Sequence, residues 1–293
     1  MLLPEEIKSA IRRAQENEIT EYFIYRKLAA WTRDSRNRGI LGNIAEDERI
    51  HYEFWKKYTG EEIKPRQFTI WWYSLVAKIL GLTFGVRLME GGEKRSKVNY
   101  DRIIPSIPEV RALKEDENNH EDQLIKLIDE ERLTYIGSVV LGLSDALVEL
   151  TGALAGLTFA FQNTHIIAAA GFITGIAASL SMAVSEYLSS TSEEAGDGEK
   201  IPLRSAFYTG LTYIVTVLFL ITPYLIISNV YIALATTLGE AFAIILFFSF
   251  YVAVAKRIPF KKRFTQMAML SFGVAAFSFG LGYVVRKVFG IEL

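Results

Sequence analysis

Two glutamate–histidine pairs are the residues of this sequence whose types and spacing point most directly to chemistry. They are Glu48 with His51, and Glu117 with His120. A spacing of three residues places both side chains of a pair on one face of an α-helix. Two such pairs, joined by carboxylates from two further helices, form the inward-facing ligand set of a dimetal four-helix bundle. Two of the three histidines in the chain belong to these pairs.

Four helices are predicted to position these residues. The first carries Glu18 on an otherwise apolar stripe, and a charged turn at 34–38 with Gly39 at a bend separates it from the second. The region is internally repeated, because a helix with a carboxylate, Glu18 or Glu90, twice precedes a helix with Glu-x-x-His. The predicted helices cover about 4–32, 40–58, 68–100 and 109–131.

The alternative is that these residues have no functional role. A single Glu-x-x-His can occur by chance, and a glutamate on an apolar helix face can extend its carboxylate to solvent. Two correctly spaced pairs argue against chance. Several carboxylates enclosed in one bundle would repel one another and lose hydration, and a bound dication removes both costs. The spacing therefore predicts a dimetal site.

Residues 68–86 are almost wholly apolar and contain one charge, Lys78. Length and composition would allow a membrane span here. The carboxylates Glu90 and Glu93 follow directly, however, and a span would separate the two halves of the bundle. We expect instead a helix that lies on the bilayer surface with its tryptophans at headgroup level.

Composition divides the chain into two parts. It is 51% hydrophobic and 22% charged, and the charges crowd into 1–135 while apolar residues dominate 136–293. A net charge of −1 gives no case for nucleic acid, and the lack of cysteine excludes disulfides and thiolate iron centres. Five apolar segments are each long enough to cross a bilayer. They cover about 136–160, 165–190, 204–227, 230–255 and 264–288.

Lysine and arginine between the last two spans place that loop, 256–263, in the cytoplasm. The N-terminal bundle is then cytoplasmic as well, and the C-terminus lies outside. The acidic loop at 192–204 also faces the cytoplasm, where it either gathers cations at a pore mouth or is simply solvated.

Ionisable residues within the spans are few, and such residues are functional candidates because lipid makes them costly. Asp145 and Glu149 share one helix face, and Met182 and Glu186 share another. Together they could line a path for a transition-metal dication. Alternatively, Met182 fills the core and Glu186 lies near the interface. Glu240 has no partner in the sequence.

Residues 1–131 resemble the ferritin-like superfamily, and the rubrerythrin-type diiron domain most of all. The resemblance implies two iron ions, bridging carboxylates and oxidation of Fe(II) by dioxygen or peroxide, whereas spacing alone implies only a dimetal site. Glu21 and Glu121 are further candidate ligands. The matching positions are Glu18 with Tyr25, Glu48-x-x-His51, Glu90-x-x-Glu93 and Glu117-x-x-His120.

Residues 142–157 and 181–189 resemble the first two spans of the vacuolar iron transporter family. That resemblance implies a homodimer, exchange of a divalent metal for protons, and an ion path that contains Asp145 and Met182, with Glu149 and Glu186 nearby. The chain departs from eukaryotic members, which carry a metal-binding insert between spans two and three. The combination resembles the membrane-bound ferritin group.

The expected molecule is therefore all-α, with a cytoplasmic ferritin-like four-helix bundle in 1–131 and a five-helix transmembrane domain in 132–293. Its expected function is export of Fe2+ or Mn2+ from the cytoplasm through the cell membrane, with a bundle that binds, oxidises or senses iron. The alternatives are a membrane-anchored diiron oxidase or peroxidase without transport, and a manganese transporter whose bundle is a sensor.

Overall fold

Helices form nearly all of the computed structural model, which describes residues 4–96, 100–126, 135–192 and 201–289. Side chains are described over the same ranges except at 90–96, 122, 125–126 and 289. These ranges contain helices and no strand, which confirms the predicted all-α class. The chain divides into two compact units, Met1–Glu130 and Glu131–Leu293.

The described part of the first unit contains six helices, and that of the second contains five. The first six are α1 (Glu5–Trp31), α2 (Ser35–Thr59), α3 (Gln67–Leu80), α4 (Leu82–Ser96), α5 (Tyr100–Ile103) and α6 (Val110–Lys126). The others are α7 (Ile136–Phe161), α8 (Thr164–Ser192), α9 (Pro202–Ile226), α10 (Val230–Lys256) and α11 (Phe260–Phe289).

Helix α2 begins earlier than the sequence analysis expects, at Ser35 rather than near residue 40. Asp34 Oδ1 accepts a hydrogen bond of 2.7 Å from the backbone N–H of Asn37, which is the arrangement of an N-cap. The charged residues at 34–38 are therefore the cap and first turn of α2, and the predicted bend at Gly39 is wrong.

The helix expected over residues 68–100 is broken into α3 and α4 at Gly81. Gly81 has φ +103°, a backbone conformation that other residues rarely adopt. Past this break Gly85 lies against Ala77, and a Cβ atom at Gly85 would collide with it. The break leaves α3 with 14 residues, which is too short to cross a bilayer core of about 30 Å.

Two apolar clusters fill the first unit, and polar residues occupy the helix positions between them. Along α1, Ile11 belongs to one cluster and Ile24 to the other. The stretches that separate the two clusters on α1, α2 and α6 contain Glu18 and both Glu-x-x-His motifs. On α2 and α6, Trp55 and Val110 belong to the same cluster as Ile11, and Leu41 and Leu124 belong to the same cluster as Ile24.

Helix α7 is central to the second unit because it packs against each of the other four helices. Its glycines allow neighbouring helices to approach closely. A Cβ atom at Gly142 would collide with the Thr209 carbonyl of α9, and one at Gly156 would collide with the Ser278 carbonyl of α11. All five helices are long and apolar enough to cross a membrane, which confirms five candidate membrane helices at the predicted places.

Candidate metal centre

Helices α1, α2 and α6 bring four metal-ligating side chains together inside the first unit. Glu18, Glu48, His51 and Glu117 each offer one ligand atom, and these atoms all lie within 4.8 Å of one another. The first three residues are almost completely buried, and Glu117 is partly buried. Carboxylate and imidazole donors suit Fe(II), Mn(II) and Zn(II). The structure thus joins four of the seven ligands proposed from the sequence for this unit.

The Glu48 carboxylate lies between the two histidines. Its Oε2 is 3.5 Å from His51 Nδ1, and its Oε1 is 3.2 Å from His120 Nδ1. The two imidazole centroids are 5.9 Å apart. A carboxylate whose two oxygens face different histidines could offer a ligand oxygen beside each of them.

The polar layer formed by the four-residue cluster and His120 contains three buried atoms that have no hydrogen-bond partner among the described residues. They are Glu48 Oε2, His51 Nδ1 and His120 Nδ1. An unsatisfied buried polar atom costs free energy. Because all three atoms belong to metal-ligating groups that face one another, cations bound among them would satisfy them together. The residues present therefore fit a metal site.

The outer nitrogen of each histidine faces an aspartate from the opposite motif. His51 Nε2 is 3.4 Å from Asp116 Oδ2, and His120 Nε2 is 3.0 Å from Asp47 Oδ2. A carboxylate in this position fixes the ring orientation and makes the inner nitrogen a stronger ligand. Neither aspartate is among the ligands predicted from the sequence. Their signal is a repeated acidic triplet, Glu46-Asp47-Glu48 and Glu115-Asp116-Glu117.

Two aromatic donors hold Glu18 in place. Trp55 Nε1 and Tyr100 OH donate hydrogen bonds to Glu18 Oε1 at 3.0 and 3.3 Å, and the two rings stack. The other oxygen, Oε2, is 3.8 Å from His51 Nδ1. The aromatic pair therefore leaves one Glu18 oxygen directed into the cluster.

Burial and charge shift the pKa values of this layer. Burial, followed by the Glu48 charge, raises the pKa of Glu18 to about 8. Burial alone would lower the pKa of His51, but its contacts with Glu18 and Glu48 outweigh burial and raise that pKa to about 11. Burial is likewise outweighed at His120, where Glu48 and Asp47 raise the pKa to about 9. Cations that bind here must displace protons.

Three predicted ligands remain, and the structure describes the side chain of one of them, His120. His120 adjoins the four-residue cluster through Glu48. The side chains of Glu90 and Glu93 fall outside the described residues, so both ligands stay predictions. Glu21 and Glu121 also stay candidates and nothing more.

In the second unit, hydrogen bonds hold two of the proposed path residues. Tyr213 OH donates to Glu149 Oε2 at 2.8 Å, and Ser138 Oγ donates to Glu186 Oε1 at 2.7 Å. Asp145 lies one turn before Glu149 and is partly buried, and Met182 packs against the core of the unit. Among the described residues, Glu240 Oε2 has no hydrogen-bond partner.

Comparison with known families gives a match in the second unit. Residues 136–196 match the model of the VIT family. No curated protein matches the chain. The VIT match covers α7 and α8, the two helices that carry Asp145, Glu149, Met182 and Glu186. A VIT family membrane domain suggests a transporter of iron or another metal, embedded in a membrane through several helices.

Asp47→Asn is expected to weaken metal binding by about 10- to 100-fold, because the amide no longer orients and polarises the His120 ring. Co(II) titration of the purified full chain, followed by visible absorption and chelator competition, measures the affinity. The matched control is Glu46→Gln, because the Glu46 carboxylate is exposed and pairs with Arg49 instead. Equal affinities for the two variants would contradict a role for Asp47.

Mn(II) binding is expected to tighten from about pH 6 to about pH 8. The direction follows from the raised pKa values, since Glu18 and the histidines are protonated at low pH and must lose protons to act as ligands. Calorimetry in buffers of different ionisation enthalpy counts the protons released on binding. Binding that releases no protons, or that weakens as the pH rises, would show that these groups are not ligands.

Proposed function

We propose that this protein exports a divalent metal, Fe(II) or Mn(II), from the cytoplasm in exchange for protons, and that its first unit is a rubrerythrin-type dimetal bundle. The observation that carries the transport proposal is the VIT match over the two helices with the intramembrane acidic residues. Carboxylates in lipid are costly and are retained where they handle ions. Asp145, Glu149, Met182 and Glu186 are the proposed path.

The proposal for the first unit is supported by the orphaned ligand atoms between the two apolar clusters. Glu18, Glu48, His51, Glu117 and His120 would hold the ions, with Glu90 and Glu93 as the further carboxylates. Two iron ions bound there would supply oxidation of Fe(II) by dioxygen or peroxide. The chain's own part is to fix the ligands through Asp47, Asp116, Trp55 and Tyr100.

Charge distribution supports the orientation. Five basic residues lie at the end of α10, in the short connection and in the first turn of α11, which favours placement of this region on the cytoplasmic side of the cell membrane. They are Lys256, Arg257, Lys261, Lys262 and Arg263. If all five helices cross, the first unit is cytoplasmic and the C-terminus lies outside. The dimetal bundle would then be exposed to the cytoplasmic metal that the path is proposed to export.

A homodimer is supported by polar groups on the outside of the second unit. Glu149 is exposed on the surface of a helix proposed to cross the membrane, and so are Ser181, Ser185 and Ser189, at four-residue intervals on α8. A carboxylate exposed to lipid is energetically unfavourable. A second copy of the chain packed against α7 and α8 would cover Glu149 and these serines.

The second candidate function is a membrane-anchored diiron oxidase. It is favoured by the four-residue cluster, because all four ligand groups come from the first unit. In that case the chemistry would not require the intramembrane acids at all.

Metal flux into proteoliposomes separates the two functions. Asp145→Asn is expected to abolish Mn(II) or Fe(II) uptake into vesicles whose interior represents the cell exterior, whereas Thr222→Ala, at an exposed site far along α9, keeps it. Glu48→Gln is expected to retain flux at high metal concentration. Absence of flux in the wild type, with Fe(II) oxidation that survives Asp145→Asn, would establish the oxidase instead.

Tyr213→Phe is expected to raise the metal concentration for half-maximal flux by about 10- to 100-fold, because a lost hydrogen bond to a charged group is worth about 1.5–3 kcal/mol. Tyr224→Phe is the matched control. Both tyrosines are completely buried in α9, but Tyr224 OH pairs with Thr158 rather than with an acidic residue. Equal effects of the two variants on flux would mean that Tyr213 serves packing alone.

A further inference from the structure

Helix α3 exposes an apolar face that the metal chemistry does not use. Phe68, Trp71, Trp72 and Ile79 are 74%, 54%, 46% and 62% exposed, and we call these four residues the α3 face. They recur at helical spacing and share one side of the helix. The opposite side packs into the first unit through Ile70, Ser74, Val76 and Ala77. The α3 face is thus a regular stripe rather than a set of scattered residues.

Three basic residues adjoin the α3 face in the sequence. Lys64 and Arg66 precede the helix and are exposed, and Lys78 lies in its last turn. The helix itself contains no acidic residue. The Lys78 ammonium lies 5.6 Å from the ring centroid of Trp31, another half-exposed tryptophan. Tryptophan with flanking lysine and arginine is the composition that proteins place at the boundary between lipid and water.

The occupant of this face has to be apolar, because a contiguous patch of large apolar side chains is seldom left in water. The candidate membrane helices belong to the same chain and follow the first unit in the sequence. Only residues 127–134 separate Lys126 from Tyr135 in the sequence, and the first candidate membrane helix begins at Ile136. Such a short tether gives the lipid a high effective concentration, so a modest intrinsic affinity is enough.

We propose that the α3 face docks on the surface of the phospholipid bilayer, with its four apolar side chains below the headgroups and its basic neighbours among anionic headgroups. The break at Gly81 limits α3 to a length that lies along a membrane rather than across it. The first unit would then be held against the membrane by a second attachment besides the chain connection. This surface is separate from the metal path, and it stands whether or not the protein transports metal.

The distribution of tryptophan makes the proposal directly measurable. The chain has four tryptophans, Trp31, Trp55, Trp71 and Trp72, and all lie in the first unit. The full chain is placed in nanodiscs of phosphatidylcholine and phosphatidylglycerol, with ordinary or brominated acyl chains. Bromine quenches only fluorophores that enter the lipid, so we expect strong quenching in the wild type. Trp71→Phe/Trp72→Phe is expected to lose most of it, because the remaining Trp55 is buried and stays out of reach of the bromine.

A spin label gives a second readout that does not depend on the tryptophans. The chain has no cysteine, so Phe68→Cys provides a unique attachment site at an exposed position. We expect a nitroxide there to be accessible to oxygen and shielded from a water-soluble nickel complex. Glu53→Cys, at an exposed position of α2, is the matched control and is expected to show the reverse.

Two results would overturn the proposal. The first is quenching in the wild type no stronger than in Trp71→Phe/Trp72→Phe, with equal water access for both labels. The second is dipolar broadening of the Phe68→Cys label by a neighbouring chain without lipid quenching, which would assign the α3 face to a second copy. Neither measurement uses metal, so its outcome is independent of the transport proposal.

Discussion

The first unit depends on a polar layer enclosed between two apolar clusters. Glu18, Glu48 and His51 are almost completely buried. The helix that carries each of them contributes residues to one apolar cluster before it and to the other cluster after it. The helices cannot turn these groups toward water without exposing the clusters, and the effective cost of an uncompensated buried charge is several kcal/mol. Protons on Glu18 and the histidines, or cations in their place, are the two ways to balance the layer.

The second unit, which contains the five candidate membrane helices, arranges its acidic residues differently. On α7 and α8, Glu149 and Glu186 each accept a hydrogen bond from a separate donor, Tyr213 and Ser138 respectively. No described group of three or more metal-ligating side chains gathers there, whereas one does in the first unit. A tight cluster retains an ion and a row of separate weak positions lets it pass, so the two arrangements suit a holding site and a path.

The sequence predicts the features that depend on spacing within one helix. The five membrane helices and the pairing of Glu48 with His51 follow from periodicity and length. Features set by the backbone between helices do not follow from periodicity. The charged residues after Asp34 predict a turn where the structure has a helix cap, and the continuous apolar run around Gly81 predicts no break there. Tyr100 was overlooked since only the fold brings it to Glu18, 82 positions away.

The two aspartates show how the repeated motif works as a unit. Asp47 does not contact the histidine of its own motif but that of the other, and Asp116 does the reciprocal. A residue adjacent to the glutamate projects sideways from α2, where it meets the neighbouring α6 instead of its own helix. Neither histidine is therefore oriented until both helices are packed. Since ligand orientation sets metal affinity, the strength of the site is coupled to the packing of α2 against α6, and the bound metal would stabilise that packing in return.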